Sequence, residues 1–257
     1  MIPFFRKIRK KMADDNKPLK YMRYAIGEIV LVVIGILIAL QINNWNQNRI
    51  NAAKQQDYLL GPKNDLEKQI TSFNYLADFA DHIISTGESI LIDFSRLGRL
   101  TKIDSLNKKL SYLMYSDGYV EISTTFNELN STGQLNLIKK SLLRTQIIKY
   151  YQNAKNYKES VDGNTENVIY TQIFPIIKST VIISPENFGF ENKKINLMDI
   201  LKSTFENNLN NSDKEFELLN AISLRIIVAK SNKSSVDESK EEAELLLDGI
   251  NNELNIK

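Results

Sequence analysis

Tyr24-Ala-Ile-Gly-Glu-Ile-Val-Leu-Val-Val-Ile-Gly-Ile-Leu-Ile-Ala-Leu-Gln-Ile-Asn43 decides how the rest of this chain is read. Between Ala25 and Ile42 the one ionisable residue is Glu28. These 18 residues would rise about 27 Å as a helix, close to the roughly 30 Å hydrocarbon core of a bilayer. Ile29–Leu40 has no polar face. Tyr21 and Tyr24 stand at one end and Trp45 at the other, as in the aromatic belts of membrane helices. The stretch reads as a transmembrane helix over residues 24–45.

Two other readings meet objections. A buried core helix can be as apolar, but a basic cluster precedes this one. A cleaved signal peptide wants an A-x-A-like site, and Gln41-Ile-Asn-Asn-Trp45 does not supply it. An uncleaved anchor is the simplest reading.

Charge then orients the anchor. Met1–Tyr24 holds eight basic residues against Asp14 and Asp15, whereas residues 46–257 hold 25 basic against 28 acidic ones. By the positive-inside rule the N-terminus is cytoplasmic and residues 46–257 lie in the periplasm, with the anchor in the inner membrane. Residues 1–23 are a basic amphipathic segment. Pro3 suits a helix start. Phe4, Phe5, Ile8 and Met12 share one face, with Arg6, Lys7, Lys10 and Lys11 largely opposite, a pattern suited to an anionic leaflet. The lipid bilayer is thus the first expected partner.

Phe4-Phe5-Arg6-Lys7-Ile8-Arg9, followed by Tyr24 through Asn46, resembles an uncharacterised family of bacterial single-pass membrane proteins. Phe126-Asn-Glu-Leu-Asn-Ser-Thr-Gly133 and Tyr150-Tyr151 resemble it more weakly. The resemblance implies the anchor. It implies no activity and no catalytic residues.

Composition narrows the remainder. The chain has 257 residues, no cysteine, one histidine (His82) and a net charge of +2. Absence of cysteine removes disulfides, thiol nucleophiles and Cys-ligated metals. A near-neutral balance speaks against nucleic-acid binding. The chain has no Gly-rich phosphate loop, nucleophile elbow or His-x-x-x-His pair. No cofactor, metal or catalytic residue is therefore expected, and the protein is not read as an enzyme.

Periodicity makes the exported part helical. Leu66, Ile70, Phe73, Ala77, Ala80, Ile84, Gly87, Leu91 and Phe94 alternate by four and three, the spacing of a coiled-coil or bundle seam. Gly61-Pro62 reads as a break before that helix, and Gly87 as a possible kink. Further helices are expected at Ser105–Met114 behind an Asp104 cap, Thr124–Ser131 ended by Gly133, Ser141–Ser160, and Asn164–Ile183 kinked at Pro175. Thr180-Val-Ile-Ile183 could instead be a strand. A loop, Ser184–Lys194, precedes Leu197–Asn208, Asp213–Ser231 and Ser235–Leu254. The fold class is all-α: an N-terminal transmembrane helix followed by an elongated antiparallel helical bundle.

Candidate contacts follow from these helices. Glu28, Gly35, Ala39 and Ile42 share a helical face, and Gly35 with Ala39 is a small-xxx-small pair that lets helices approach closely. Glu28 reads either as an interfacial acid paired with Arg23 or Lys20, or as part of a helix–helix contact in the membrane. In the exported part, Phe126, Asn127 and Glu128, with Tyr150 and Tyr151, form a possible partner surface, since tyrosine joins an apolar body to a polar tip. The expected function is a membrane-anchored interaction or scaffold protein that binds another envelope protein or itself. The alternative is an accessory subunit of a transport, sensing or proton-linked complex acting through Glu28 and the Gly35/Ala39 face.

Overall fold

The computed structural model describes residues 18–183 and 197–255, together with Lys7. Most of the expected amphipathic segment 1–23, and all of the expected loop Ser184–Lys194, lie outside the described residues. Among the described residues every regular element is helical, and the fold is all-α. The α-helices are α1 (Pro18–Leu97), α2 (Leu106–Leu113), α3 (Thr124–Ser131), α4 (Ser141–Asn164), α5 (Phe174–Thr180), α6 (Leu197–Leu209) and α7 (Ser212–Leu254). A π-helical stretch, Thr165–Ile173, joins α4 to α5. Two compact units divide the chain, residues 1–57 and residues 58–257.

In the first unit α1 carries the apolar stretch. Its large apolar side chains from Ile29 to Ile42 are 46–71% exposed. The stretch is long and apolar enough to cross a membrane. A contiguous exposed apolar patch of this extent marks a surface that meets a protein partner or a membrane.

In the second unit three long helical runs pack together: α1 from residue 58, the α4–α5 run and α7. Their directions follow from their contacts. Lys230 on α7 bonds Glu88 on α1 at 2.7 Å, and Lys233 reaches Asp81 at 3.4 Å. Asn164 on α4 bonds Asn232 at 2.8 Å, and Asn153 bonds Glu242 at 2.8 Å. So α7 is antiparallel to both, and α1 and α4 run the same way. Residues 98–140 must therefore lead back along α1.

That return is held by side chains. Gly98 (φ 69°) turns the chain at the end of α1, and its N–H donates to the Phe94 carbonyl at 2.8 Å, a glycine helix stop. After α2 the chain runs extended. The Tyr119 ring lies 5.4 Å from Phe73. Gln69 of α1 donates through Nε2 to Val120 O at 2.8 Å and accepts from Ile122 N at 2.7 Å. Its amide thus imitates one rung of strand pairing. Asp65 accepts from Thr125 N at 3.1 Å.

Several boundaries differ from those expected. Helix α1 continues through Gly61-Pro62. Pro62 removes one helical donor, but Leu59 and Leu66 on either side are buried and hold the turn. Gly61 is needed for space: a Cβ there would stand 2.2 Å from Thr125 Cγ2. Likewise a Cβ at Gly87 would stand 2.7 Å from Ile226 Cγ1, so this glycine serves close packing. The two helices expected at Asp213–Ser231 and Ser235–Leu254 are one, α7. Ser231-Asn-Lys-Ser-Ser235 contains weak helix formers, and the Asn164–Asn232 bond overrides their propensity. Asp104 does not cap α2; the N-cap is Ser105, in the left-handed region at φ 53°.

The core has two parts. One gathers Ile83, Ile90, α2, Ile169, Ile173, Ile177 and α7 from Leu218 to Ala229. The other gathers Leu59, Leu66, Phe73, Tyr119, α4 and α7 from Val236 to Ile250.

Candidate functional site

The apolar stretch is the first candidate. Along α1, Gly35 and Ala39 are exposed and Glu28 is half-buried. A Cβ at Gly35 would meet nothing within 4 Å, so the backbone there is open to close approach. Past the apolar stretch, the Arg49 guanidinium lies 5.8 Å from the Trp45 ring centroid, a cation–π pair of the kind that suits the polar edge of a bilayer.

The second candidate is an aromatic and carboxylate cluster between the returning segment, α4 and α7. Phe126 of α3 stacks on Tyr151 of α4, with ring centroids 4.2 Å apart and planes 12° apart. Tyr150 meets Tyr151 edge-on at 5.0 Å. Both tyrosines are buried, as is Tyr119. Asn153 donates to both carboxylate oxygens of Glu242, at 2.8 and 3.0 Å, and the Tyr157 hydroxyl donates to Glu238 at 3.2 Å. Desolvation raises the pKa of Tyr119, Tyr150 and Tyr151 above the ordinary tyrosine value. All three therefore stay neutral phenols. The Tyr119 and Tyr151 hydroxyls are buried without a hydrogen-bond partner among the described residues. Such a group costs about 1–3 kcal/mol. The phenols of the cluster donate hydrogen bonds, and the Glu238 and Glu242 carboxylates accept them.

The structure thus divides the expected partner surface. Phe126, Tyr150 and Tyr151 come together in the core, while Asn127 and Glu128 lie on the exposed face of α3. Tyr150 also reaches the floor of a groove of about 250 Å³ between α4 and α7, lined by Gln146, Lys149, Glu242, Leu245 and Leu246. Leu245, on its rim, is 66% exposed. Among the described residues no three His, Cys, Asp or Glu side chains are grouped to hold a metal ion.

Reading the sequence alone missed Asp65, Gln69, Asn107, Tyr119 and Arg225. All are buried. Asn107 repeats the device of Gln69: it donates to Ile182 O at 2.9 Å and accepts from Ile182 N at 2.7 Å. The signal available was a polar side chain at a seam position. Gln69 follows Leu66 by three, and Arg225 follows Leu218 by seven.

A family of unknown function (DUF6090) matches residues 28–169, more than half of the chain. The chain belongs to this family. The matched DUF6090 region begins at Glu28, within the apolar stretch, and ends at Ile169 in the π-helical stretch. It contains α2, α3 and α4, with Phe126, Tyr150 and Tyr151, whereas α5, α6 and α7 lie beyond it. No curated protein and no solved structure matches the chain.

Proposed function

We propose that this DUF6090 member is a single-pass anchored protein of the bacterial inner membrane. Its N-terminus is cytoplasmic, its helical unit is periplasmic, and it works by binding another envelope protein or a second copy of itself rather than by catalysis. The observation that carries the reading is the wholly exposed apolar stretch from Ile29 to Ile42. The basic head before it sets the orientation. The α4–α7 groove with its exposed Leu245 offers the apolar contact that a protein partner uses.

Absence of native cysteine gives a clean topology test. In intact spheroplasts a membrane-impermeant maleimide should label Ser234→Cys and spare Lys7→Cys until lysis. The reverse pattern, or labelling of both, overturns the orientation. In-cell crosslinking of a tagged copy should then return a reproducible partner, heterologous or self; monomer alone overturns the interaction reading.

A second reading rests on the open backbone at Gly35: an accessory subunit joined to a larger complex through Glu28, Gly35 and Ala39. Gly35→Leu and Glu28→Gln should then abolish co-purification of membrane partners. Unchanged co-purification overturns it.

A further inference from the structure

Arg225 of α7 is 2% exposed. Its Nε donates to Leu113 O at 3.1 Å and its Nη2 to Tyr115 O at 2.7 Å. These are carbonyls at the end of α2, where a helix favours a cation. Among the described residues, no carboxylate comes within ion-pair distance of it. Burial pushes its pKa down to about 10, and the titratable side chains that act on it are the tyrosines Tyr112 and Tyr170. At neutral pH it is a charged guanidinium facing only dipoles. A buried charge is expensive unless paired.

The guanidinium lines a small, partly open cavity of about 30 Å³. A water needs about 10–15 Å³ of such space, so there is room for a water or one small ion and nothing larger. The polar groups lining it with Arg225 are Ser116, Tyr119, Asn232, Asp117 and Lys233, and the Tyr119 hydroxyl is buried without a hydrogen-bond partner among the described residues. Ser116 Oγ lies 3.4 Å from Thr165 Oγ1. Asn232 spends its carbonyl on Asn164, at 2.8 Å, leaving its amide N–H groups for the cavity. Lys233 is engaged by Asp81 and Asp237. The one carboxylate, Asp117, is exposed at the mouth and accepts from Tyr75 at 2.7 Å. The remaining walls are apolar, with Ile169 from the π-helical stretch among them. π-Helical turns recur at functional sites.

We propose that this cavity binds a halide-sized monovalent anion, which supplies the counter-charge to Arg225 with Asn232 and Ser116 as further donors. The bound ion ties α7 to the turn after α2 and to the π-helical stretch.

The test uses the full chain in detergent, melted at constant ionic strength with sodium gluconate replaced stepwise by sodium chloride. Tm should rise with the logarithm of chloride above its dissociation constant, by about 2–4 °C once chloride reaches roughly five times that constant. Chloride NMR lines should broaden with the wild-type protein. Asn232→Asp brings a carboxylate into the cavity. It should abolish both effects without lowering Tm in gluconate. A Tm indifferent to chloride together with sharp chloride lines overturns the proposal, and the cavity then holds water. An Asn232→Asp protein that responds as wild type also overturns it, since the ion then binds elsewhere. Should that variant fail to fold, the wild-type line width and melting series decide alone.

Discussion

Two atoms of space decide what residue 61 can be. Alanine normally exceeds glycine in a helix by about 1 kcal/mol, yet at Gly61 the new methyl would stand 2.2 Å from Thr125 Cγ2. Overpacking of this kind costs about 1–3 kcal/mol. Gly61→Ala is therefore expected to lower stability in a urea melt. Adding Thr125→Ser removes the offending methyl and leaves the N–H that bonds Asp65. The double variant should recover at least the wild-type midpoint; if it stays as low as the single variant, the clash is not the cause. Gln69 makes a second residue-scale case. Gln69→Leu keeps the volume roughly constant and strands Val120 O and Ile122 N. The expected loss is about 1–3 kcal/mol, the cost of the Ile122 N–H left unsatisfied, since Val120 is 61% exposed and its carbonyl can turn to water. Hydrogen exchange at the Ile122 amide should accelerate with it.

At the scale of the element, the seam of α1 was half legible. Leu66, Phe73, Ala80 and Gly87 are buried as the apolar spacing indicates, but the companion row is Gln69, Leu76, Ile83 and Ile90, one position back from Ile70, Ala77, Ile84 and Leu91. A hydrophobic count favours the second set because it contains no glutamine. The structure buries the first because the returning segment covers that side and needs Gln69 to satisfy its backbone. The second set is half-buried at the margin of a wide apolar arc. This rotation is measurable. Ile83→Ala should cost about 2–5 kcal/mol, and Ile84→Ala clearly less. Equal losses would refute the observed row. The same cause hid the continuity of α7. Its inward row Leu218, Arg225, Asn232, Ser239, Leu246 is polar at three of five positions, and a polar interior cannot be told from a linker until partners such as Leu113 and Asn164 are known. By contrast, the apolar stretch on α1 and the Gly133 stop after α3 (φ 71°) depend on local chemistry and were legible directly. Of the expected partner surface, the sequence could mark Phe126, Tyr150 and Tyr151 as distinctive. It could not tell core from surface there, because tyrosine suits both.

For the second unit as a whole, the buried phenols set an alkaline limit. Tyr119, Tyr150 and Tyr151 have folded pKa values raised by burial. Once pH passes about 10 the unfolded chain releases these protons and the folded chain keeps them, so the folded state binds more protons and stability falls as pH rises. Below that pH their contribution is fully present. Each phenol steepens the fall by about 1.4 kcal/mol per pH unit. The helical signal should collapse together with a late, cooperative rise in tyrosinate absorbance, after the exposed tyrosines have titrated. A smooth, early ionisation of all tyrosines with helicity intact would contradict the burial. Tyr150→Phe, which keeps the ring and removes the titrating hydroxyl, should make the collapse less steep.

Both core clusters draw on α7, one on its first half and one on its second. A nascent chain emerging from the ribosome makes α1, α2, α3 and α4 long before α7 exists. During that interval Leu59, Phe73, Ile83, Tyr150 and Ile173 have no finished interior to enter. The unit therefore cannot ripen piecemeal from its N-terminal side. It must wait, apolar faces uncovered, for a helix about 150 residues downstream of Leu59. A chain arrested before Ser212 should be a substrate for holdases and proteases throughout the part of the second unit already made, while one released after Leu254 should become resistant in a single step.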